Sequence, residues 1–154
     1  MTIREHSIYD CILSNAQNFP KETALVSGDL RLTFAEVPLH VNCLARGLLN
    51  TGFEKGDRIA VLLNNCAEYA LLLAACSRIG LIAVCLNTRT SADEMRMVLE
   101  NTKPKALLFQ TILEEQAEAL RDLLPAQQLY SIDEAAILST SLDQFIDEDY
   151  SLLI

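Results

Sequence analysis

Short apolar runs alternate with longer segments that carry a helical stripe, and the alternation becomes regular from residue 59 onward. IAVLL (59–63), IAVCL (82–86), KALLF (105–109) and QLYSI (128–132) each read as a strand. An uninterrupted apolar run suits a strand covered on both faces, as in a parallel sheet flanked by helices. Residues 67–79 are apolar nearly all round and predict a buried helix that Gly80 would stop. A helix opening at Ser91 turns Met95, Val98 and Leu99 inward, and residues 113–124 predict an acidic amphipathic helix. After a looser stretch at 133–149, YSLLI (150–154) reads as one more strand.

Upstream, residues Ser7 to about Asn18 predict a short helix that Pro20 ends. TALVS (23–27), Gly28-Asp29 and LRLT (30–33) predict a hairpin, because glycine supplies the backbone angles of a tight turn. Val37, Val41, Leu44 and Leu48 form one helical stripe, with Pro38 placed to delay or bend its start. Three capping boxes punctuate the chain: Thr33 with Glu36, Asn65 with Glu68, and Ser91 with Glu94. Strands alternating with helices at these lengths imply right-handed crossovers. The expected fold is α/β: a three-layer, mostly parallel sheet with flanking helices, plus a small amino-terminal β-hairpin.

Composition narrows the function classes. At 154 residues the chain suits one domain, and 51% hydrophobic residues with a mean hydropathy of +0.21 allow a large core or a face meant for a neighbour. A formal charge of −9, from 21 acids and 12 bases, repels phosphate backbones and argues against nucleic-acid binding. Cysteines 11, 43, 66, 76 and 85 form no C-x-x-C pair and sit in apolar contexts, which points to a reducing cytoplasm rather than to disulfides or metal ligation. The most membrane-like stretch, Tyr69 to Asn87, is broken by Ser77, Arg78 and Gly80, so no membrane span is expected.

Ligands of open α/β sheets bind at the carboxyl ends of the strands. Those ends carry Asn64-Asn65, Asn87-Thr88 and Gln110-Thr111. None of these turns holds the glycines that a phosphate cradle needs for close backbone approach. His6 and His40 stand near no nucleophile, and His40 is expected as a partly exposed helix residue. Glu114, Glu115 and Glu118, with Arg121 and Asp122 nearby, read as a solvated helix face rather than a metal site. Asn65 is accounted for by helix capping, and Arg89 and Arg96 are two separated arginines in an acidic chain. These residues define no catalytic constellation, so no catalytic, cofactor-binding or metal-ligating residue is assigned.

The order of motifs carries a resemblance. LTFAEV (32–37) with NCLARGLL (42–49), GFEKGDRIAVLLNNCAEY (52–69), LLAACSRIGLIAVCLNTRTSADEM (72–95) and KPKALLF (103–109) resemble successive segments of the adenylate-forming (AMP-binding) superfamily. The likeness covers residues 7–109 closely and 110–154 by layout. Asn64, Cys66 or Ala67, Cys85 and Thr88 stand where family members often carry proline or serine. Asn87-Thr88-Arg89 looks closer to acyl-CoA synthetases than to peptide-synthetase domains.

That resemblance implies a parent that is an ATP-dependent carboxylic acid–CoA ligase for a fatty or aromatic acid, working through an acyl-adenylate with ATP, Mg²⁺ and CoA. Residues 1–154 would be its amino-terminal α/β scaffold, incomplete and inactive alone, with no cofactor bound to this piece. DEDYSLLI (147–154) is similar to the acidic lead-in and strand that precede the family's phosphate-binding loop, which would begin just beyond Ile154. The implied partners are the remainder of the polypeptide, the acid and CoA. A sheet lacking its later strands exposes an edge, which predicts self-association of these residues into a homo-oligomer. A peptide-synthetase or luciferase-like parent and a stand-alone, non-catalytic interaction module stay open as alternatives.

Overall fold

The computed structural model describes residues 7–124 and 128–132; His6, the stretch 133–149 and the expected strand at 150–154 lie outside the described residues. The chain opens with α1 (Ile8–Asn18), where Ser7 and Asp10 form a reciprocal capping box, and continues into the hairpin β1 (Thr23–Ser27) and β2 (Leu30–Thr33). Gly28 turns that hairpin at φ +56°, and the two strands pair antiparallel with Ser27 opposite Leu30. Then follow α2 (Val37–Asn50), β3 (Arg58–Leu62), α3 (Ala67–Ile79), β4 (Ile82–Cys85), α4 (Ala92–Thr102) and β5 (Ala106–Gln110). A 3₁₀ turn (Thr111–Leu113), α5 (Glu114–Glu118), a second 3₁₀ turn (Arg121–Leu123) and β6 (Leu129–Ile132) complete the described chain.

The four strands of the main sheet lie in the order β4-β3-β5-β6 and pair in parallel throughout. Strand β3 shows why the run 59–63 is apolar at every step. Ile59, Val61 and Leu63 belong to a core formed with α1, α2 and α3, whereas Ala60 and Leu62 belong to a second core under α4 and α5. Successive side chains of a strand point to opposite faces, so a strand covered on both sides needs apolar residues at both parities. Three layers follow, with the hairpin attached to the α1–α3 side through Leu32.

The helix boundaries sharpen the sequence reading. Ser91 caps α4 and forms its box with Glu94 as expected. Thr33 and Glu36 close only half a box: the Glu36 carboxylate accepts the Thr33 N–H at 2.8 Å, and regular helix waits until Val37, with Pro38 in the first turn. The Asn65 box does not form. Cys66, in extended conformation, is the residue that caps α3, which puts Glu68 in the first turn instead of at the box position.

Three packing expectations need correction. The segment 113–124 is not one helix but α5 flanked by 3₁₀ turns, with Ala117, Leu120 and Leu124 buried and the acids outside. IAVCL is not a buried strand: β4 pairs only with β3 among the described residues, and Ile82 is 46% exposed at that edge. On α4, Met95 and Leu99 face the core, while Val98 is 39% exposed on its flank. Arg96 explains the offset, because it turns the other flank toward Asp122 and the Ala119 carbonyl. No helix among the described residues is long and apolar enough to cross a membrane.

Candidate functional site

Strand β3 is followed first by β4 on one side and then, by a crossover, by β5 on the other. Connections that leave in opposite directions open a crevice at the carboxyl ends of β3 and β5, the usual ligand position in open α/β sheets. A crevice of about 580 Å³ opens beside this point, lined by Asn64, Asn65, Tyr69, Asn87, Thr88 and Arg89 among others. Two of the three strand ends singled out from the sequence therefore line one recess, and Gln110 from the third braces it.

Side-chain hydrogen bonds tie the rim together. The buried Gln110 Oε1 accepts the Asn64 N–H at 2.8 Å, bridging β5 to the loop after β3. The Thr88 hydroxyl donates to Asn64 Oδ1 at 3.4 Å, and Gln116 Nε2 donates to the Thr88 carbonyl at 3.3 Å. Asn87 organises its own turn: its Oδ1 accepts the Arg89 N–H at 3.0 Å and its carbonyl accepts the Thr90 hydroxyl at 2.8 Å. An Asn that satisfies the amide two residues on is a tight-turn device, so this part of the rim is locally encoded. Gln116 Oε1 is buried without a hydrogen-bond partner, an acceptor left at the edge of the network.

The Cys66 thiol and the Tyr69 phenol beside the crevice are not poised for nucleophilic work. Burial pushes the Cys66 thiol up to about 11, and burial followed by the hydrogen bond with Cys85 pushes the Tyr69 phenol up to about 12. A thiol needs its thiolate to attack, so Cys66 stays inert near neutral pH. All five cysteines are free thiols; Cys43 and Cys76 are buried as small hydrophobes, whereas Cys11 and Cys85 are exposed, against that reading.

The remaining singled-out residues fall elsewhere. Arg89 stands at the crevice and is exposed, whereas Arg96 is consumed by its pair with Asp122 at 2.5 Å, so the two do not converge. Glu118 pairs with Arg121 on an exposed face, as the charge pattern of that segment implied. His40 corrects the sequence reading: it is only 8% exposed, because Val37, Pro38 and Val41 beside it are buried too and the first turns of α2 lie inward. Desolvation lowers its proton affinity below the ordinary value of 6.5, partly opposed by Glu36.

Among the described residues no group of three or more His, Cys, Asp or Glu side chains could hold a metal ion. The turns after β3, β4 and β5 contain no glycine, so they cannot bring backbone amides close around phosphates in the manner of a nucleotide cradle.

A family model described as "AMP-binding enzyme" matches residues 13–151. The chain belongs to the AMP-binding enzyme family. Within that family it is 35% identical over 109 residues to the mitochondrial medium-chain acyl-CoA ligase ACSF2 of Homo sapiens, covering 70% of this chain and 18% of the relative. It superposes with a TM-score of 0.79 on a protein of Rhodopseudomonas palustris CGA009 assigned as a long-chain-fatty-acid CoA ligase, at 30% identity, covering 86% of this chain and 34% of that one. It also matches the N-terminal domain of FACL13 from Mycobacterium tuberculosis with a TM-score of 0.77 at 26% identity, covering 88% and 36%. The chain thus spans about a fifth of the curated relative and about a third of each structural neighbour. This AMP-binding family fold is the one its motif order implied.

Proposed function

We propose that residues 1–154 form the amino-terminal scaffold of an ATP-dependent carboxylic acid–CoA ligase. In that reaction the acid's carboxylate attacks the α-phosphorus of ATP, pyrophosphate leaves, and the acyl group then passes from AMP to the CoA thiol. The observation that carries the reading is the family match over residues 13–151 together with relatives whose names describe acyl-CoA ligases.

On this reading the crevice beside β3 and β4 is a wall of the acyl or CoA path, with Arg89 offering the positive charge that a phosphorylated substrate favours. The acid is fatty or aromatic, Mg²⁺ offsets phosphate charge during the first step, and a reducing cytoplasm suits five free thiols. Among the described residues β4 has a neighbour on one side only, an edge that supports self-association of the piece.

Acid-dependent exchange of pyrophosphate into ATP tests the whole. The 154-residue chain should show none, and a longer protein from the same gene should show it with at least one acid of a fatty and aromatic panel. Exchange by the 154 residues alone would mean they hold a complete nucleotide site. A native gene that stops at Ile154 would favour a non-catalytic interaction module.

A further inference from the structure

Backbone pairing of β3 with β5 stops at Leu62 and Phe109. One residue further, a side chain takes over. Gln110, only 8% exposed, uses its Oε1 to accept the Asn64 N–H at 2.8 Å, and thereby extends the ladder one step into the crevice. Satisfying a single amide would be enough to keep such a residue, but the contact does not end there. Asn64 Oδ1 accepts the Thr88 hydroxyl, and the Thr88 carbonyl accepts Gln116 Nε2 from α5, the helix that follows Gln110 in the chain. The contacts close a circuit around the switch point. It has one tight link at 2.8 Å and two longer ones at 3.4 and 3.3 Å, and hydrogen bonds weaken as they lengthen.

We propose that Gln110 is a positioning residue for the crevice. It fixes where the β3–α3 loop stands and, through Asn64 and Thr88, where the turn that presents Arg89 stands. Asn87 shapes that turn internally, but only the Thr88 contact ties it to the β3–α3 loop among the described hydrogen bonds. A ligand pressing on the Arg89 turn is therefore felt at Gln110, on the far side of β3. The ligase reading enters only in what that ligand is; the relay is a property of this chain.

NMR of the 154-residue chain tests it. In Q110L the Asn64 amide should exchange with solvent about tenfold faster, as expected for losing one hydrogen bond of ordinary net strength. Q110E should keep slow exchange near neutral pH, because an ionised carboxylate accepts the same bond. Titrating Q110E should then move the Asn64 amide and the Gln116 side-chain amide with one common midpoint. Adding Thr88→Ala should abolish the Gln116 response and leave that of Asn64. A Q110E titration felt at Asn64 alone, or a Gln116 response that survives Thr88→Ala, would overturn the proposal, and Q110E carries the test even if Q110L does not fold. Failure of pyrophosphate exchange in the longer enzyme with the relay intact would sink the ligase reading and leave the role of Gln110 standing.

Discussion

Lys105 donates to Asp57 Oδ2 at 2.6 Å, joining the amino end of β3 to the residue that leads into β5. The same oxygen accepts the Glu54 N–H at 2.8 Å, and the Asp57 carbonyl accepts the Ile82 N–H at 2.8 Å. Asp57 therefore gathers the starts of three strands. Its hydrogen bond from Lys105, then that from Glu54, holds its carboxyl below the ordinary 3.8. A depressed carboxylate contributes stability above its unfolded value and loses it as pH falls through the folded one. Asp57→Asn should flatten the acid limb of a melting-temperature profile between about pH 5 and pH 2. An unchanged limb would show that the pair is too well solvated to matter.

Gly80 ends α3 at φ +75°, and a Cβ added there would lie 2.7 Å from Lys55 Cγ. Gly80→Ala should cost roughly 1–2 kcal/mol from the left-handed backbone alone. Thermal unfolding of Gly80→Ala with and without Lys55→Ala separates the two causes: the double variant should recover only the part due to the crowded lysine stem.

His40 gives a second pH signature, at higher pH. Burial lowers its proton affinity in the folded state, so unfolding takes up a proton and stability falls as pH drops below the ordinary 6.5. His40→Leu should remove that dependence in denaturant midpoints compared at about pH 7.5 and 5.5. An equal slope in the variant would assign the dependence to other groups.

Leu99 and Val98 are neighbours in sequence with opposite fates, 1% and 39% exposed. Leu99→Ala should cost about 2–5 kcal/mol, and Val98→Ala well under half of that. Equal costs in chemical denaturation would mean that Val98 packs against something outside the described residues.

Ile82 stands 46% exposed on the edge of β4 that no described strand covers. If that edge drives self-association, Ile82→Lys should lower the apparent mass in light scattering at high concentration, since a charge on an edge strand opposes pairing. A wild-type chain that is monomeric throughout the concentration range would remove the premise.

Legibility in the sequence followed how local each cause was. The runs at 59–63 and 105–109 announced central strands because burial on both faces leaves no polar parity, and Ser91-Ala-Asp-Glu94 announced a helix start because both partners lie within one turn. Asn65 misled for the complementary reason: any Asn, Ser or Thr three residues ahead of an acid matches the pattern, and the backbone chose Cys66. Val98 and His40 were misplaced because helical periodicity gives a direction without saying how far the neighbouring layers extend. The crevice could be located from the strand ends alone. Its principal brace could not, because the contact between Asn64 and Gln110 joins residues 46 apart and depends on strand order.

A sheet whose strands all run the same way sorts its side chains by end. The amino ends hold Asp57 with Lys105 and the backbone bond from Gly56 to Gly80, while the carboxyl ends hold the amide-lined crevice. Robustness and the proposed recognition are thereby entrusted to opposite poles of one slab. Residues 54–57, 80–82 and 103–105 offer places where heat tolerance can be altered without touching the rim of the crevice, a separation that gives evolution, or an engineer, two independent dials.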